Sequence, residues 1–225
     1  MTSAHVTGIN INEYQIGRCN MYSKALNLDH LTSFQRGDFT QVPFENDTFD
    51  NAYCIEAAVH APRLQMVYAE AFRTLKPGGM FACYEWCVTD AYDPMNMEQK
   101  RIIFAIEEGN SISKLCSTHE CLKAAKSVGF EIIEADDLAV LRSGEVPWYD
   151  TLKGSYSISQ FRMTKLGRWT TDKLVSVLET VRLAPPGARK VTQLLNSAAD
   201  NLVAGGELGI FTPMFFWIGR KPDNA

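Results

Sequence analysis

The spacing of apolar positions switches repeatedly between a strand period and a helix period. Val6-Thr7-Gly8-Ile9 is a short β-branched run that predicts a strand, and Ile11 to Leu28 then reads as helix. Leu31 to Phe39 and Phe49 to Ile55 are the second and third strand candidates. The clearest helical pattern follows, with Leu64, Val67, Tyr68, Ala71, Phe72 and Leu75 at i, i+3, i+4, i+7 spacing. Pro62 suits its first turn, and Lys76-Pro77-Gly78-Gly79 predicts its stop. Met80 to Val88 is an apolar, aromatic run, the pattern of a strand covered on both faces. Further helices are predicted over Met97–Glu108 and Thr118–Val128, with another strand over Phe130–Glu134. Near Leu141 the pattern shifts to turns and helices. Leu174, Val177, Leu178 and Val181 mark one helix; Val191, Leu194, Leu195, Ala198 and Leu202 mark the next, which Gly205-Gly206 is expected to end. Ile210 to Arg220 predicts a final aromatic strand.

Strands alternating with helices imply an α/β, doubly wound, mostly parallel sheet. Residues 1–140 form the core of that reading. Residues 141–222 form a second unit, a helical insert over about 141–208 followed by a strand that returns to the sheet.

Composition narrows the function. Hydrophobic residues at 46% and charged residues at 21% exclude global disorder, and 225 residues suffice to bury a sizeable core. A net charge of −4 without a basic run disfavours a nucleic-acid partner. No apolar stretch approaches the roughly 18 residues of a membrane span. The amino end lacks a secretory pattern, and the six cysteines show no CxxC spacing, so reduced thiols facing a cytosol are expected. Cys83 and Cys87 fall on one strand face without further ligands, so no metal is expected there.

In open α/β sheets, ligands bind at the carboxyl ends of the strands. Those ends carry Asn10, with Gln15 one turn on; Gly37-Asp38-Phe39; Ile55 and Glu56, with His60 four residues on; and Glu85-Trp86, running on to Asp90. A carboxylate placed like Asp38 can accept a hydrogen bond from an exocyclic adenine amine, Phe39 can pack against the ring, and Asn10 and Gln15 can bind ribose hydroxyls. The competing readings are ordinary ones: a turn or cap for Asp38, core for Phe39, Tyr84 and Trp86, a loop or cap for His60. Glu85 is harder to assign to packing, because a carboxylate inside an apolar strand is costly unless paired or used.

Several stretches resemble the sterol 24-C-methyltransferases, which use S-adenosylmethionine. They are VTGININEYQI from Val6, GDFTQVPFENDTFDNAYCIEAAVHAP from Gly37, LKPGGMFACYEWCVTDAYDP from Leu75, KRIIFAIEEGN from Lys100, VPWYDTLKGSYSISQFRMTKLGR from Val146, SAADNLVAGG from Ser197 and IFTPMFFWIGRKP from Ile210. GDF…PF…FD and LKPGG are common to small-molecule methyltransferases; IEAAVHAP, YEWCVTDAYDP and IFTPMFF are far more specific. The resemblance implies a class I methyltransferase-like, Rossmann-like fold that binds S-adenosylmethionine and methylates C24 of a sterol side-chain double bond. It implies cofactor contacts from Asn10, Gln15, Asp38, Phe39 and Ile55. It also implies a sterol-facing aromatic set of Tyr53, Tyr84, Trp86 and Tyr92, which can face a carbocation without quenching it. Glu56, His60, Glu85 and Asp90 are the candidate bases, with Glu56 or His60 preferred. A peripheral position on the cytoplasmic face of the endoplasmic reticulum, contact with a lipid surface and homo-oligomers accompany the resemblance. The aromatic run Met214-Phe215-Phe216-Trp217 reads as a buried strand rather than a lipid contact.

The chain departs from the family in having no glycine-rich loop ahead of Val6. The resemblance therefore implies an incomplete chain whose sheet lacks its first, central strand, leaving two strand groups without their shared neighbour. Each buried unsatisfied backbone group costs roughly 1–3 kcal/mol. The alternative is a non-catalytic sterol-binding or partner-subunit paralogue that has lost the cofactor loop.

Overall fold

The computed structural model describes residues 3–140, 145–154 and 161–224. The expected unit boundary at 140/141 borders residues 141–144, which lie outside the described set, as do residues 155–160 of the insert. Strand β1 (Val6–Asn10) leads into helix α1 (Glu13–Ala25), whose first turn is capped by the Asn12 side chain accepting from the N–H groups of Tyr14 and Gln15. Strand β2 (Thr32–Arg36) then returns parallel to β1. A larger sheet is built from β3 (Phe49–Ile55), β4 (Leu75–Val88), β5 (Glu131–Asp137) and β6 (Phe211–Arg220) in the order β3-β4-β6-β5. β3 and β4 are parallel; β6 runs antiparallel to both of its neighbours. Among the described residues, the strands thus fall into two sheets with no ladder between them.

Helix α2 (Leu64–Thr74) and helix α4 (Thr118–Ser127) cover one face of the larger sheet. Tyr68, Phe81, Phe130 and Trp217 meet there, with ring centroids of Trp217 at 5.1 Å from Tyr68 and 5.4 Å from Phe81, both edge-to-face. Lys221 is buried beside this cluster, its ammonium donating to Asp47 and to the carbonyl of Leu75 at 2.8 Å each. A second cluster forms at the far end of β4, where Ile102, Ile103 and Ile106 of α3 (Met97–Gly109) pack on Val88, Ile210 and Phe211. Helix α7 (Ala188–Glu207) lies on α3, with α5 (Asp150–Lys153) and α6 (Lys165–Thr180) packed against α7.

Three boundaries and one burial pattern differ from the sequence reading, each for a local reason. Leu75 leaves the helix with ψ 140° and pairs with Phe49, so β4 starts five residues before the predicted Met80 and the Lys76-Pro77-Gly78-Gly79 segment lies within the strand. Gly205-Gly206 do not end α7. A Cβ on Gly205 would stand 3.1 Å from Ile106 and Phe211, and one on Gly206 would strike the Tyr149 ring, so these glycines permit close packing inside the helix. The turn comes at Gly209, with φ +65°. β4 is covered completely on one face only: Phe81, Cys83, Glu85 and Cys87 are buried, whereas Ala82, Tyr84 and Trp86 are half-buried. β2 stops at Arg36, which leaves Gly37, Asp38 and Phe39 in the following turn.

Trp217 is fully buried among three aromatic rings. Trp217→Ala is expected to lower unfolding stability by about 3–5 kcal/mol, read as a drop in denaturant midpoint at unchanged slope.

Candidate active site

Glu85 organises the carboxyl ends of β3 and β4. It is 1% exposed, on the same face of β4 as Cys83 and two residues beyond it. The β3–β4 register places Cys54 beside Cys83 and Ile55 beside Tyr84. Past Ile55 the chain turns at Glu56, which holds φ +50°, and donates its N–H to the Tyr84 carbonyl at 2.7 Å. That left-handed residue redirects the backbone so that the next amides point inward. The N–H groups of Ala58 and Val59 donate to the two oxygens of Glu85 at 2.8 and 3.1 Å, at the start of a 3₁₀ turn over Ala58–His60. One side chain thereby fastens the loop carrying Glu56 and His60 to the rim of the sheet.

The chemistry around that carboxyl is unusual. The Cys54 thiol donates to Glu85 Oε1 at 3.5 Å and the Cys83 thiol at 3.9 Å, with the Tyr68 hydroxyl 3.8 Å from Cys83. Burial, and then the charge of Cys54, push the Glu85 carboxyl up to about 9 against the pull of the two backbone N–H groups. Cys54 is drawn down to about 7, first by the neighbouring Cys83 thiol; the N–H groups of Ala58 and Ala57 and Glu85 add to the fall, outweighing burial.

The remaining candidates divide between the sheet faces and the two sheets. Tyr53 and Ile55 point away from Cys54 and stand 65% and 62% exposed. The register aligns them with Ala82 and Tyr84, and Trp86 follows on the same face of β4, edge-to-face with Phe211 at 5.4 Å. Four predicted residues, Tyr53, Ile55, Tyr84 and Trp86, therefore share one face, with Glu85 on the other. Glu85 and Trp86 nevertheless both line a cavity of about 350 Å³ at the strand end, with Val59, Leu64, Cys116 and Ala124; Asp38, Glu56 and His60 are not among its lining residues. The Trp86 Nε1 is buried without a hydrogen-bond partner among the described residues. Glu56, His60 and Asp90 are exposed, and Tyr92 is half-buried with its hydroxyl pushed up by burial, Glu107 and Asp93.

On the smaller sheet, Asn10 Nδ2 donates to Gln15 Oε1 at 2.6 Å while Asn10 Oδ1 accepts from the Asn12 N–H at 2.8 Å. Asp38 Oδ1 accepts from both the N–H and the hydroxyl of Thr40 at 2.7 Å, which holds its carboxyl below the usual range and fixes an exposed turn. Phe39 packs on the large core. Asn10 with Gln15, Asp38 with Thr40, and the Glu85 loop are thus three separate polar groups, and among the described residues no strand ladder joins the smaller sheet to the larger. Sequence reasoning did not foresee Cys54, Cys83 or the amides of Ala58 and Val59 as the surroundings of Glu85. Only the strand register and the positive φ at Glu56 bring them together.

Comparison with known proteins gives a consistent set of relationships. A methyltransferase domain family matches residues 1–83, and the sterol methyltransferase C-terminal family matches residues 158–223. The chain is 44% identical over 100% of its length to the sterol 24-C-methyltransferase of Saccharomyces cerevisiae, covering 60% of that protein. It is 46% identical over 97% of its length to the cycloartenol-C-24-methyltransferase of Arabidopsis thaliana, covering 65% of it. The chain therefore spans about three-fifths of the length of the curated relatives it matches. Among solved structures, geranyl diphosphate methyltransferase in complex with SAM superposes with a TM-score of 0.65 at 16% identity, covering 97% of this chain and 69% of that one. Geranyl diphosphate C-methyltransferase from Streptomyces coelicolor A3(2) gives 0.64 at 14% identity, covering 96% and 61%. These likenesses establish a class I methyltransferase-like α/β fold.

The Glu85 environment sets a pH dependence. The unfolded chain ionises Glu85 near 4.5, whereas the folded chain keeps the proton to about 9, so stability falls as pH rises through that window. Cys54 acts in the opposite sense between about 7 and 9, where the folded chain has already lost its thiol proton and the unfolded chain has not. The net fall is expected between about pH 5 and 7, at up to about 1.4 kcal/mol per pH unit, followed by a plateau. Denaturant midpoints across that range should lose the slope in Glu85→Gln; a parent chain with flat stability from pH 5 to 7 contradicts the assignment.

Proposed function

We propose that the chain belongs to the sterol 24-C-methyltransferase family and serves in transferring a methyl group from S-adenosylmethionine to C24 of a sterol side-chain double bond. The observation that supports this most strongly is identity of 44–46% to sterol 24-C-methyltransferases and a cycloartenol-C-24-methyltransferase across 97–100% of the chain. A non-catalytic binding role has no comparable support.

The residues present fit the adenosine half of the cofactor. Asp38 is an exposed, ionised carboxylate fixed by Thr40 at the end of β2, suited to an exocyclic amine. Asn10 and Gln15 hold each other at the end of β1, where they can meet ribose hydroxyls. Bound S-adenosylmethionine would supply an electrophilic methyl on a sulfonium. The chain's own residues have three tasks. An alkene is a weak, neutral nucleophile, so the pocket must align it and exclude water. The cation that forms on the side chain needs stabilisation without a nucleophile, which the rings of Tyr53, Tyr84, Trp86 and Tyr92 offer. A base must then remove a proton; Glu56 and His60, exposed on one short loop, suit that task. Glu85 suits it less, because its carboxyl stays protonated to about 9 and both oxygens are engaged by backbone N–H groups. We assign Glu85 to positioning the loop on which Glu56 and His60 sit.

The substrate is apolar and dissolves in membranes. No helix among the described residues is long and apolar enough to cross one. A peripheral contact with the cytoplasmic face of the endoplasmic reticulum is proposed through α6, whose Leu166, Trp169 and Val177 are exposed beside Lys165 and Lys173. Homo-oligomers accompany this reading.

The test is transfer of labelled methyl to a sterol with a side-chain double bond, using the chain alone and the chain fused behind the amino-terminal segment of its S. cerevisiae relative. Methylated sterol from the fusion is expected, and none from it rejects the proposal. In the active form, Asp38→Ala should raise KM for S-adenosylmethionine. Loss of the true base, by Glu56→Gln or His60→Ala, should lower kcat by about 10²–10⁴-fold. Tyr84→Leu should cost about 3- to 30-fold.

A further inference from the structure

Cys54 Sγ, Cys83 Sγ and a Glu85 carboxylate oxygen all lie within 4.8 Å of one another. Among the described residues, no other three His, Cys, Asp or Glu side chains come together so closely. Neither the proposed methyl transfer nor the packing of the core requires two thiols at this carboxyl. We infer that the cluster is a binding site for a thiophilic divalent cation of the zinc class, held by Cys54 Sγ, Cys83 Sγ and Glu85 Oε1.

Three observations carry the inference. The first is edge length. A tetrahedral zinc site with sulfur at about 2.3 Å and oxygen at about 2.0–2.2 Å has sulfur–oxygen edges of about 3.5 Å. The corresponding separations here are 3.5 Å for Cys54 and 3.9 Å for Cys83, so both sulfur–oxygen edges match to within a few tenths of an ångström, and the two sulfurs lie within 4.8 Å of each other. The second is rigidity. Cys54 and Cys83 are register partners on adjacent parallel strands, so their separation is set by the sheet and not by a loop. The third is support around the ligands. The N–H groups of Ala58 and Val59 hold Oε1 and Oε2 of Glu85 in place, as outer partners fix the ligands of metal sites. The Tyr68 hydroxyl lies 3.8 Å from the Cys83 sulfur. The other close thiol pair, Cys87 and Cys121 at 3.4 Å, has no such third ligand.

The chemistry balances without an oxidant. Three metal–ligand bonds form, and the protons of the two thiols and the carboxyl pass to solvent. The ion would join β3, β4 and, through Glu85, the loop bearing Glu56 and His60.

The experiment uses the whole chain, stripped with a chelator and titrated with cobalt(II), then zinc(II). One equivalent of cobalt is expected to produce thiolate charge-transfer absorption that zinc removes. Cys54→Ser and Cys83→Ser should each weaken uptake by more than the roughly 10–100-fold that loss of a supporting group costs. Cys87→Ser and Cys19→Ser should leave it unchanged. Should Cys83→Ser fail to fold, protection of Cys54 from iodoacetamide by one equivalent of zinc in the parent chain reads the same site. A chain that takes up no cobalt, uptake that survives both serine variants, or a Cys54 that zinc does not protect overturns the assignment. None of these readouts involves methyl transfer, so failure here is distinct from failure of the catalytic reading.

Discussion

A single buried carboxyl decides how this rim is built. Burying Glu85 removes it from water, and two backbone N–H groups from Ala58 and Val59 replace part of that hydration. Those amides are available only because Glu56 adopts φ +50°. The positive φ carries a strain cost that an ordinary loop would relax. Here the buried hydrogen bonds over-determine it, and the turn persists. The positions of Glu56, His60 and Val59, and the wall of the neighbouring cavity, follow from that one contact.

The same strand end separates two chemistries. One face of β4 carries Cys83, Glu85 and Cys87 against helices α2 and α4, where polar atoms meet sulfur and aromatic rings. The opposite face offers Tyr84 and Trp86 beside Tyr53 and Ile55. A strand's twofold alternation makes this division automatic: neighbouring residues 84, 85 and 86 must look in opposite directions. Charge management and apolar recognition thereby occupy opposite faces and meet only at the strand-end cavity that Glu85 and Trp86 both line.

Much of this was readable from the residues alone. The strand–helix alternation and the final returning strand follow from hydrophobic period, and the specific stretches IEAAVHAP and YEWCVTDAYDP mark the family. Glu85 was visible as a candidate because a carboxylate in an apolar strand demands a reason. What it binds was not visible. Cys54 lies 31 positions away and meets Glu85 only through the parallel register, which no local pattern encodes. The same limit explains the glycine pair at 205–206, which reads as a helix stop in sequence and serves as a packing notch once Ile106, Phe211 and Tyr149 are in place. Asp38 shows the converse. Its turn with Thr40 and its placement at a strand end are compatible, so neither reading displaces the other.

The position of β6 has a consequence for how the chain is made. β6 is the last strand in sequence, yet it sits between β4 and β5 and pairs with both. Until residues 211–220 leave the ribosome, β4 and β5 have no ladder between them, and the pocket for Trp217 between Phe81 and Phe130 stays open. Nascent chains must wait with an apolar, hydrogen-bond-hungry edge exposed, the situation in which synthesis speed and chaperone capture decide yield.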